Sequence, residues 1–311
     1  MRKRTWAGRV KKLLFLLFVL LALGGLIFCL SQLLPKLFEY KQGSDAFLEL
    51  SDVGISEYDP ADRLLLTDED LPSDVSDALS IDWDAYAGTE IVAWFQMDNL
   101  SYPIMQHSDN AFYLDHLPDG RYNACGSLFL LNHNNPLFTD RSSFIYGHNM
   151  NNKTMFGGLK DHTTEASKDH IFYLYLPDGT RHAYQFFSVA TVFQESRAYT
   201  WSFESNESFL SWQDWMLKES LVSTSLQKSE DAKFVTLSTC NGYSGTNHRL
   251  VVCGQEVRVD KLQKPASRYD AYLQKYNEES AAKRARMLDI RNGLLRVQSD
   301  AREALYASQT H

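Results

Sequence analysis

The N-terminal thirty residues constrain this chain most, because they have the pattern of a membrane anchor. Residues 13–30 carry no charged side chain, and the twelve residues before them hold six basic side chains and no acid. A helix of this length extends for about 27 Å, and residues 31–34 add another turn, which matches the apolar core of a bilayer. We therefore predict a cytoplasmic basic segment over 1–12, a single transmembrane helix over 13–34, and an extracellular remainder.

A cleaved signal peptide is the alternative interpretation of the same residues. The apolar region of a signal peptide normally has about 7–15 residues and is followed by a cleavage site of the A-x-A kind. The apolar run of this chain is longer, and no such site follows it. The uncleaved anchor is the favoured prediction, and it locates the protein in the cell membrane.

Composition excludes several classes of protein. Apolar residues make up 44% and charged residues 23% of the 311 residues, which is typical of a folded protein and excludes a wholly disordered one. The net charge of -8 shows no basic excess, so we expect no nucleic-acid partner. The four cysteines are too scattered for a disulfide scaffold or a zinc ribbon, and we predict no metal site and no cofactor. These cysteines are Cys29, Cys125, Cys240 and Cys253.

The segment after the anchor is strongly acidic. Residues 39–84 contain fourteen Asp and Glu against two basic residues, and Pro60 and Pro72 interrupt them. Over residues 35–82 we predict an extracellular stalk with one or two short helices that holds a domain away from the membrane. A simple solvated linker fits the same composition.

From residue 83 the pattern changes to short β-rich runs separated by turns. Eight such runs cover residues 91–97, 102–105, 126–131, 142–146, 171–176, 184–193, 234–239 and 250–257. Many short strands with few helices predict a mainly β fold, a closed or nearly closed eight-stranded barrel over residues 83–260.

Two segments have helical patterns instead. Apolar residues at helical spacing predict one helix over 205–221, inserted before the strand that ends in Cys240. Residues 261–311 carry a single apolar stripe, which predicts a helical C-terminal extension that either packs on the domain or binds a partner.

Cys240 is the best candidate for a nucleophile. It ends an apolar strand and is followed by a polar loop, where a thiol is accessible. A thiolate needs a neighbouring base or cation to lower its pKa. Arg249 opens the next strand, so that a hairpin would return it beside Cys240, and His148 also ends an apolar strand. His248 is the competing histidine and ranks lower, since it lies in the loop.

The remaining candidates are weaker. Ser238 lies two residues before Cys240 on the same strand, hence on the same face, and is a candidate substrate-binding residue. His133, His162, His170 and His182 lie among loops and charged residues, and we predict that they are surface residues. The sequence contains no G-x-S-x-G elbow, no phosphate-binding loop and no H-E-x-x-H motif.

Together these motifs resemble a known family. The stretch Thr236–Cys240 followed by Arg249, with Tyr146–Asn149 upstream, is similar to the sortases of Gram-positive bacteria. The helix inserted before the cysteine strand, residues 93–106 and residues 155–159 resemble class B sortases in particular. Asn241 departs from the pattern, since class B members often carry an acid there, and the tail after residue 260 lies outside the family core.

The resemblance implies a sortase-type barrel and a membrane-anchored cysteine transpeptidase. Such an enzyme cleaves a C-terminal sorting signal of secreted proteins through a thioester and transfers the acyl group to an amine of the cell wall. Cys240 would be the nucleophile, His148 the general acid and base, and Arg249 the group that stabilises the oxyanion. A pilin-polymerising transpeptidase, with a pilin amine in place of a peptidoglycan precursor, and a cysteine protease that uses water are the alternatives.

Overall fold

The computed structural model describes residues 6–58, 77–240 and 247–267, with side chains from Val10 onward except that of Cys240. In the C-terminal extension it also describes five residues with helical backbone, namely Tyr269, Asp270, Leu273, Gln274 and Glu278. The chain divides into two compact units, residues 1–263 and 264–311. The apolar stripe predicted for the C-terminal extension and residues 59–76 of the predicted stalk lie outside the described residues.

The first element is one long helix, α1 (Trp6–Gly54). Within the described part of the chain it is the one helix that is long and apolar enough to cross a membrane. Its large apolar side chains between Leu13 and Phe38 are exposed, as expected for a surface that faces lipid. The helix continues through Pro35, beyond the end predicted for the anchor.

The last four turns of α1 pack against the domain. Phe47 is 6% exposed and its ring lies 5.2 Å from that of Tyr102, edge to face. The Tyr86 hydroxyl donates a 2.8 Å hydrogen bond to the carbonyl of Leu50, at the C-terminal end of the helix. The segment predicted as a stalk therefore begins with helical turns that are fixed to the domain.

The β-strands follow in ten short segments. A two-stranded sheet comprises β1 (Ile55–Glu57) and β2 (Leu79–Ile81). The other eight strands are β3 (Ile91–Met97), β4 (Leu100–Met105), β5 (Leu128–Leu130), β6 (Ser142–Tyr146), β7 (Ile171–Tyr175), β8 (Thr180–Phe193), β9 (Phe234–Cys240) and β10 (His248–Lys261).

These eight strands form a closed barrel in the order β10-β8-β7-β3-β4-β5-β6-β9. The predicted mainly β, eight-stranded barrel is confirmed. Most neighbours are antiparallel, but β4 pairs with β5 and β6 pairs with β9 in parallel. The parallel pair β6–β9 determines where the functional residues meet, because parallel strands leave a sheet at the same edge.

The predicted inserted helix is also confirmed, as α2 (Asn206–Glu219) between β8 and β9. The Ser205 hydroxyl caps it by accepting a 3.1 Å hydrogen bond from the Ser208 amide. Phe209, Trp212 and Met216 repeat every three or four residues and are all buried. They pack on the barrel, where the Trp212 ring lies 5.2 Å from that of Phe234 on β9.

Candidate active site

An open cleft of about 500 Å³ lies where β6, β9 and β10 meet. His148, Ser238 and Arg249 all line it, although the first and the last are 101 positions apart in the sequence. The other lining residues are Asn110, Tyr113, Leu114, Ser127, Phe129, Leu131, Tyr146, Gly147, Gln194, Glu195, Tyr199 and Thr239. The structure thus brings three of the four predicted site residues to one cavity.

Parallel pairing brings the ends of β6 and β9 to the same level. Tyr146 pairs with Ser238, and the amide of Gly147 donates a 3.2 Å hydrogen bond to the Ser238 carbonyl. His148 and Cys240 each follow that pair by two residues, on neighbouring strands that run in the same direction. The backbone therefore brings both residues to one edge of the barrel; the side chain of Cys240 is outside the described residues.

The hairpin of β9 and β10 brings Arg249 to the same edge. Arg249 is the direct antiparallel partner of Cys240. Facing residues of such a pair have their Cα atoms about 4.5–5.5 Å apart. The guanidinium donates 3.0 Å hydrogen bonds to the side-chain oxygen of Gln194 and to the carbonyl of His248. These two hydrogen bonds orient the guanidinium at the edge of the cleft.

The imidazole of His148 is held from the opposite side of the cleft. Its Nε2 lies 2.5 Å from the carbonyl oxygen of Leu114, at the end of a short 3₁₀ helix. A carbonyl only accepts hydrogen bonds, so Nε2 carries a proton in this arrangement. In a neutral imidazole the lone pair is then on Nδ1, which is the atom left to exchange a proton.

Ser238 is a buried part of the cleft lining. It is completely buried, and its hydroxyl is 2.7 Å from that of Tyr199. Tyr199 stacks on Tyr146 with ring centroids 6.2 Å apart, and Tyr146 stacks on Phe129 at 5.5 Å. Burial raises the pKa of Tyr146, so it is an uncharged wall at neutral pH.

Sequence patterns missed two residues of this site. Gln194 lies in the turn directly after β8 and Tyr199 ends the short 3₁₀ helix Arg197–Tyr199, and neither belongs to a motif around Cys240 or His148. Their only signal is the position between the last residues of β8 and the inserted helix. Tyr199 and Gln194 contact Ser238 and Arg249 only after the barrel has closed, so no local pattern in the sequence could indicate these contacts.

The competing histidine, His248, lies outside the cleft lining. It is exposed at the first position of β10, opposite Phe193, and its ring is 4.4 Å from the ring of that residue. The prediction of a surface position was wrong for His182. That side chain is buried between strands, with Nδ1 2.6 Å from Glu256 Oε1.

Comparison with known proteins identifies the family to which this fold belongs. The sortase domain family matches residues 97–257, just over half of the chain and all of β4–β9. The chain belongs to the sortase family. The match includes His148, Cys240, Ser238 and Arg249.

Among its relatives are two proteins named sortase B. The Staphylococcus aureus sortase B is 24% identical over 174 residues, covering 55% of this chain and 71% of the relative. The Listeria monocytogenes sortase B is 27% identical over 158 residues, covering 49% of this chain and 63% of the relative, which is less than two thirds. A solved sortase B from B. anthracis superposes with a TM-score of 0.55 at 24% identity, covering 71% of this chain and 99% of the other.

These similarities confirm the resemblance found in the sequence. The chain is a class B sortase, and as a sortase it is a cysteine transpeptidase that acts on proteins bearing a sorting signal. Sortases are membrane-associated, which agrees with the apolar first half of α1.

Proposed function

We propose that Cys240, His148 and Arg249 carry out the transpeptidation and that the cleft between the ends of β6, β9 and β10 holds the sorting signal. The observation that carries this proposal is the common position of His148 and Arg249 in the lining, with Cys240 paired in register to Arg249. The cleft is lined by aromatic rings together with a few polar groups, as expected for a site that binds a peptide and acts on one of its carbonyls.

The first half-reaction forms a thioester. The thiolate sulfur of Cys240 attacks a carbonyl carbon of the sorting signal, and the peptide C–N bond breaks. Protonated His148 gives its Nδ1 proton to the leaving amine, which departs with the C-terminal part of the signal. The neutral imidazole that remains has Nε2–H directed at the Leu114 carbonyl, as the structure has it.

The second half-reaction uses the neutral imidazole as a base. His148 Nδ1 takes a proton from an incoming amine, whose nitrogen attacks the thioester carbonyl. The C–S bond breaks, a new amide forms, and the thiolate is regenerated beside an imidazolium. The acyl group therefore moves from one amine to another with no net change in the charge of the enzyme.

Arg249 stabilises the oxyanion that develops in both half-reactions. Its guanidinium stays charged at neutral pH and presents a rigid fork of donors. Two of its nitrogens are already oriented by Gln194 and His248. Loss of one oxyanion donor in other enzymes costs about 2.7–4 kcal/mol of transition-state stabilisation.

Ser238 acts as a substrate-binding residue in this proposal. Its hydroxyl is buried against the Tyr199 hydroxyl, and both residues line the cleft. A hydroxyl has one donor and two acceptor positions, so the contact with Tyr199 does not use the whole hydrogen-bonding capacity of Ser238.

The acceptor and the topology belong to the same proposal. The basic residues before the anchor hold the N-terminus in the cytoplasm, so the catalytic domain lies outside and meets secreted proteins and peptidoglycan-precursor amines at the membrane surface. Attachment of the enzyme to the same surface raises the effective concentration of both substrates. Residues 83–260 form the catalytic domain in this scheme, and residues 261–311 a helical extension.

The test uses the full chain in detergent with a library of five-residue sorting signals. We expect wild type to give a thioester mass adduct and, with an added amine, an amide product. Cys240→Ala should give neither, whereas Cys29→Ala, which removes an exposed thiol of α1, should react as wild type does. A full-strength adduct on Cys240→Ala contradicts the assignment of the nucleophile, and hydrolysis unaffected by the amine contradicts a transpeptidase.

A further inference from the structure

Three side chains that are distant in sequence converge outside the cleft. Asp98 lies in the tight turn between β3 and β4, His162 ends the 3₁₀ helix Leu159–His162, and His170 directly precedes β7. His162 Nε2 is 3.1 Å from one carboxylate oxygen of Asp98, and His170 Nε2 is 3.1 Å from the other. All three ligand atoms lie within 4.8 Å of one another.

These distances are those expected between neighbouring ligand atoms around a single metal ion. Zinc bonds to histidine nitrogen and carboxylate oxygen are about 2.0–2.1 Å, so adjacent ligands of a tetrahedral ion are about 3.3 Å apart. Both N–O separations are close to that value before any adjustment. Two imidazoles and a carboxylate are a donor set that suits zinc and its neighbours among the transition metals, rather than calcium or magnesium, which prefer oxygen alone.

Within the part of the chain that the structure describes, the Nε2 nitrogen of His170 lacks a hydrogen-bond partner. Its Nε2 is buried and makes no hydrogen bond among the described residues, although Asp98 Oδ1 is only 3.1 Å away. A buried polar atom without a partner is unfavourable, because it has lost its hydrogen bonds to water. A cation between the ring and the carboxylate would satisfy this nitrogen and both oxygens at once.

A hydrogen bond behind His162 orients that ring toward the carboxylate. Its Nδ1 is 3.0 Å from the hydroxyl of Ser167, which is 6% exposed. Metal-bound histidines usually have such a partner on their other nitrogen, which fixes the ring orientation. The two rings also contact each other, with centroids 4.6 Å apart.

We propose that Asp98, His162 and His170 form a zinc-type site with three protein ligands, the remaining coordination being completed by water. The ion would join three segments: the β3–β4 turn, the 3₁₀ helix after the His148 loop and the start of β7. Its expected effect is on the stability of the barrel wall, since none of the three ligands lines the catalytic cleft.

This proposal changes the prediction made from the sequence, which gave no metal site. That prediction considered cysteine spacing, whereas these ligands are two histidines eight positions apart and an aspartate sixty-four positions before the first of them. No local motif connects them, so only the closed barrel brings them together.

The test is a titration of the full chain in detergent with ZnCl₂, in a Cys240→Ala background that removes the competing thiol. We expect one saturable site and a rise in Tm of about 5 °C or more at a hundredfold excess over Kd, reversed by a chelator. Cobalt in place of zinc should give the visible absorption of a tetrahedral or five-coordinate ion. If protein that retains Asp98, His162 and His170 shows neither saturable zinc binding nor a Tm shift, the proposal is wrong.

Matched variants locate the site. Asp98→Asn and His170→Gln should each weaken zinc affinity at least tenfold and remove the Tm shift. His107→Gln is the control, because His107 also contacts two carboxylates, with Nδ1 2.9 Å from Glu90 and Nε2 3.6 Å from Asp109. Zinc binding that His107→Gln abolishes, or that Asp98→Asn and His170→Gln leave intact, contradicts the assignment.

Discussion

The paired strands β8 and β10 hold an arginine near each end, and the two arginines are used in opposite ways. At one end Arg181 faces Asp260 in register and donates to its Oδ2 from Nε at 3.0 Å and from Nη2 at 2.7 Å. Their side chains are 3% and 1% exposed. At the other end Arg249 is half-buried at the cleft and donates to a side-chain amide oxygen and a backbone carbonyl.

The comparison is between a buried structural charge, that of Arg181, and a charge that we propose is catalytic, that of Arg249. A buried guanidinium needs a carboxylate, because an uncompensated charge in the interior is strongly unfavourable. Arg249 lines an open cavity, and we propose that its charge acts on the anion formed beside Cys240. The same contrast applies to the thiols, since Cys253 lies within β10 and Cys240 at the cleft end of β9.

The largest expected effect is on thiol reactivity. Burial raises the pKa of Cys125 to about 11 and that of Cys253 to about 12. The thiolate is the reactive form, so at pH 7 its fraction at Cys253 is roughly a thousandfold below that of an ordinary cysteine. Peptide mapping after iodoacetamide treatment should show Cys240 labelled at least a thousandfold faster than Cys253.

The pH dependence of this labelling has a definite sign. Because the pKa values of the buried thiols are raised, their labelling should increase about tenfold for each pH unit from 7 to 10. Equal labelling of Cys240 and Cys253 at pH 7 in folded protein would contradict the proposed difference between a reactive thiol at the cleft and a buried thiol inside β10.

Substitution of Arg249 comes next in size. Arg249→Lys keeps the positive charge but loses the planar array of N–H donors of the guanidinium. We expect the rate of transpeptidation to fall about 100–1000-fold. The free energy of unfolding should change by less than about 0.5 kcal/mol, as for other substitutions outside the core. Steady-state product formation and urea unfolding measure the two quantities. Near-normal product formation by Arg249→Lys would end the proposed role of the guanidinium.

Substitution of Arg181 should lower the stability of the protein but leave its activity nearly unchanged. Arg181→Met leaves the Asp260 carboxylate buried with only Arg258 Nε at 2.8 Å, and we expect about 3 kcal/mol less unfolding free energy. Activity per folded molecule should stay near that of wild type. Arg249→Met is the matched comparison, and a similar stability loss in both variants would show that the two ends are not used differently.

The smallest expected effect concerns the residue that orients Arg249. Gln194→Leu removes the amide oxygen that accepts from Nη2, and we expect about a tenfold loss of transpeptidation rate with little change in Tm. Gln185→Leu is the control, since Gln185 is a glutamine on β8 that does not line the cleft and whose amide donates to Asp169. A loss equal to that of Gln185→Leu would show that Gln194 does not position the guanidinium.

Much of the architecture was predictable because its signals are local. The alternation and β-branched residues of segments such as 234–239 and 250–257 predicted strands that the structure contains, and helical spacing from Phe209 to Met216 predicted α2. The hairpin of Cys240 and Arg249 is also local, because nine positions of sequence separate them. Strand and helix formation depend on near neighbours, so a single sequence carries that information.

The amino-acid sequence by itself determined the long apolar first helix, the eight strands of the barrel, the inserted helix and the resemblance to the sortases. Only the tertiary structure decided that β6 runs parallel beside β9, that Gln194 and Leu114 hold Arg249 and His148, and that Asp98 meets two histidines. The physical reason is that these contacts exist only after the barrel closes, since their partners are tens of residues apart and each gains its surroundings from strands that no local pattern pairs.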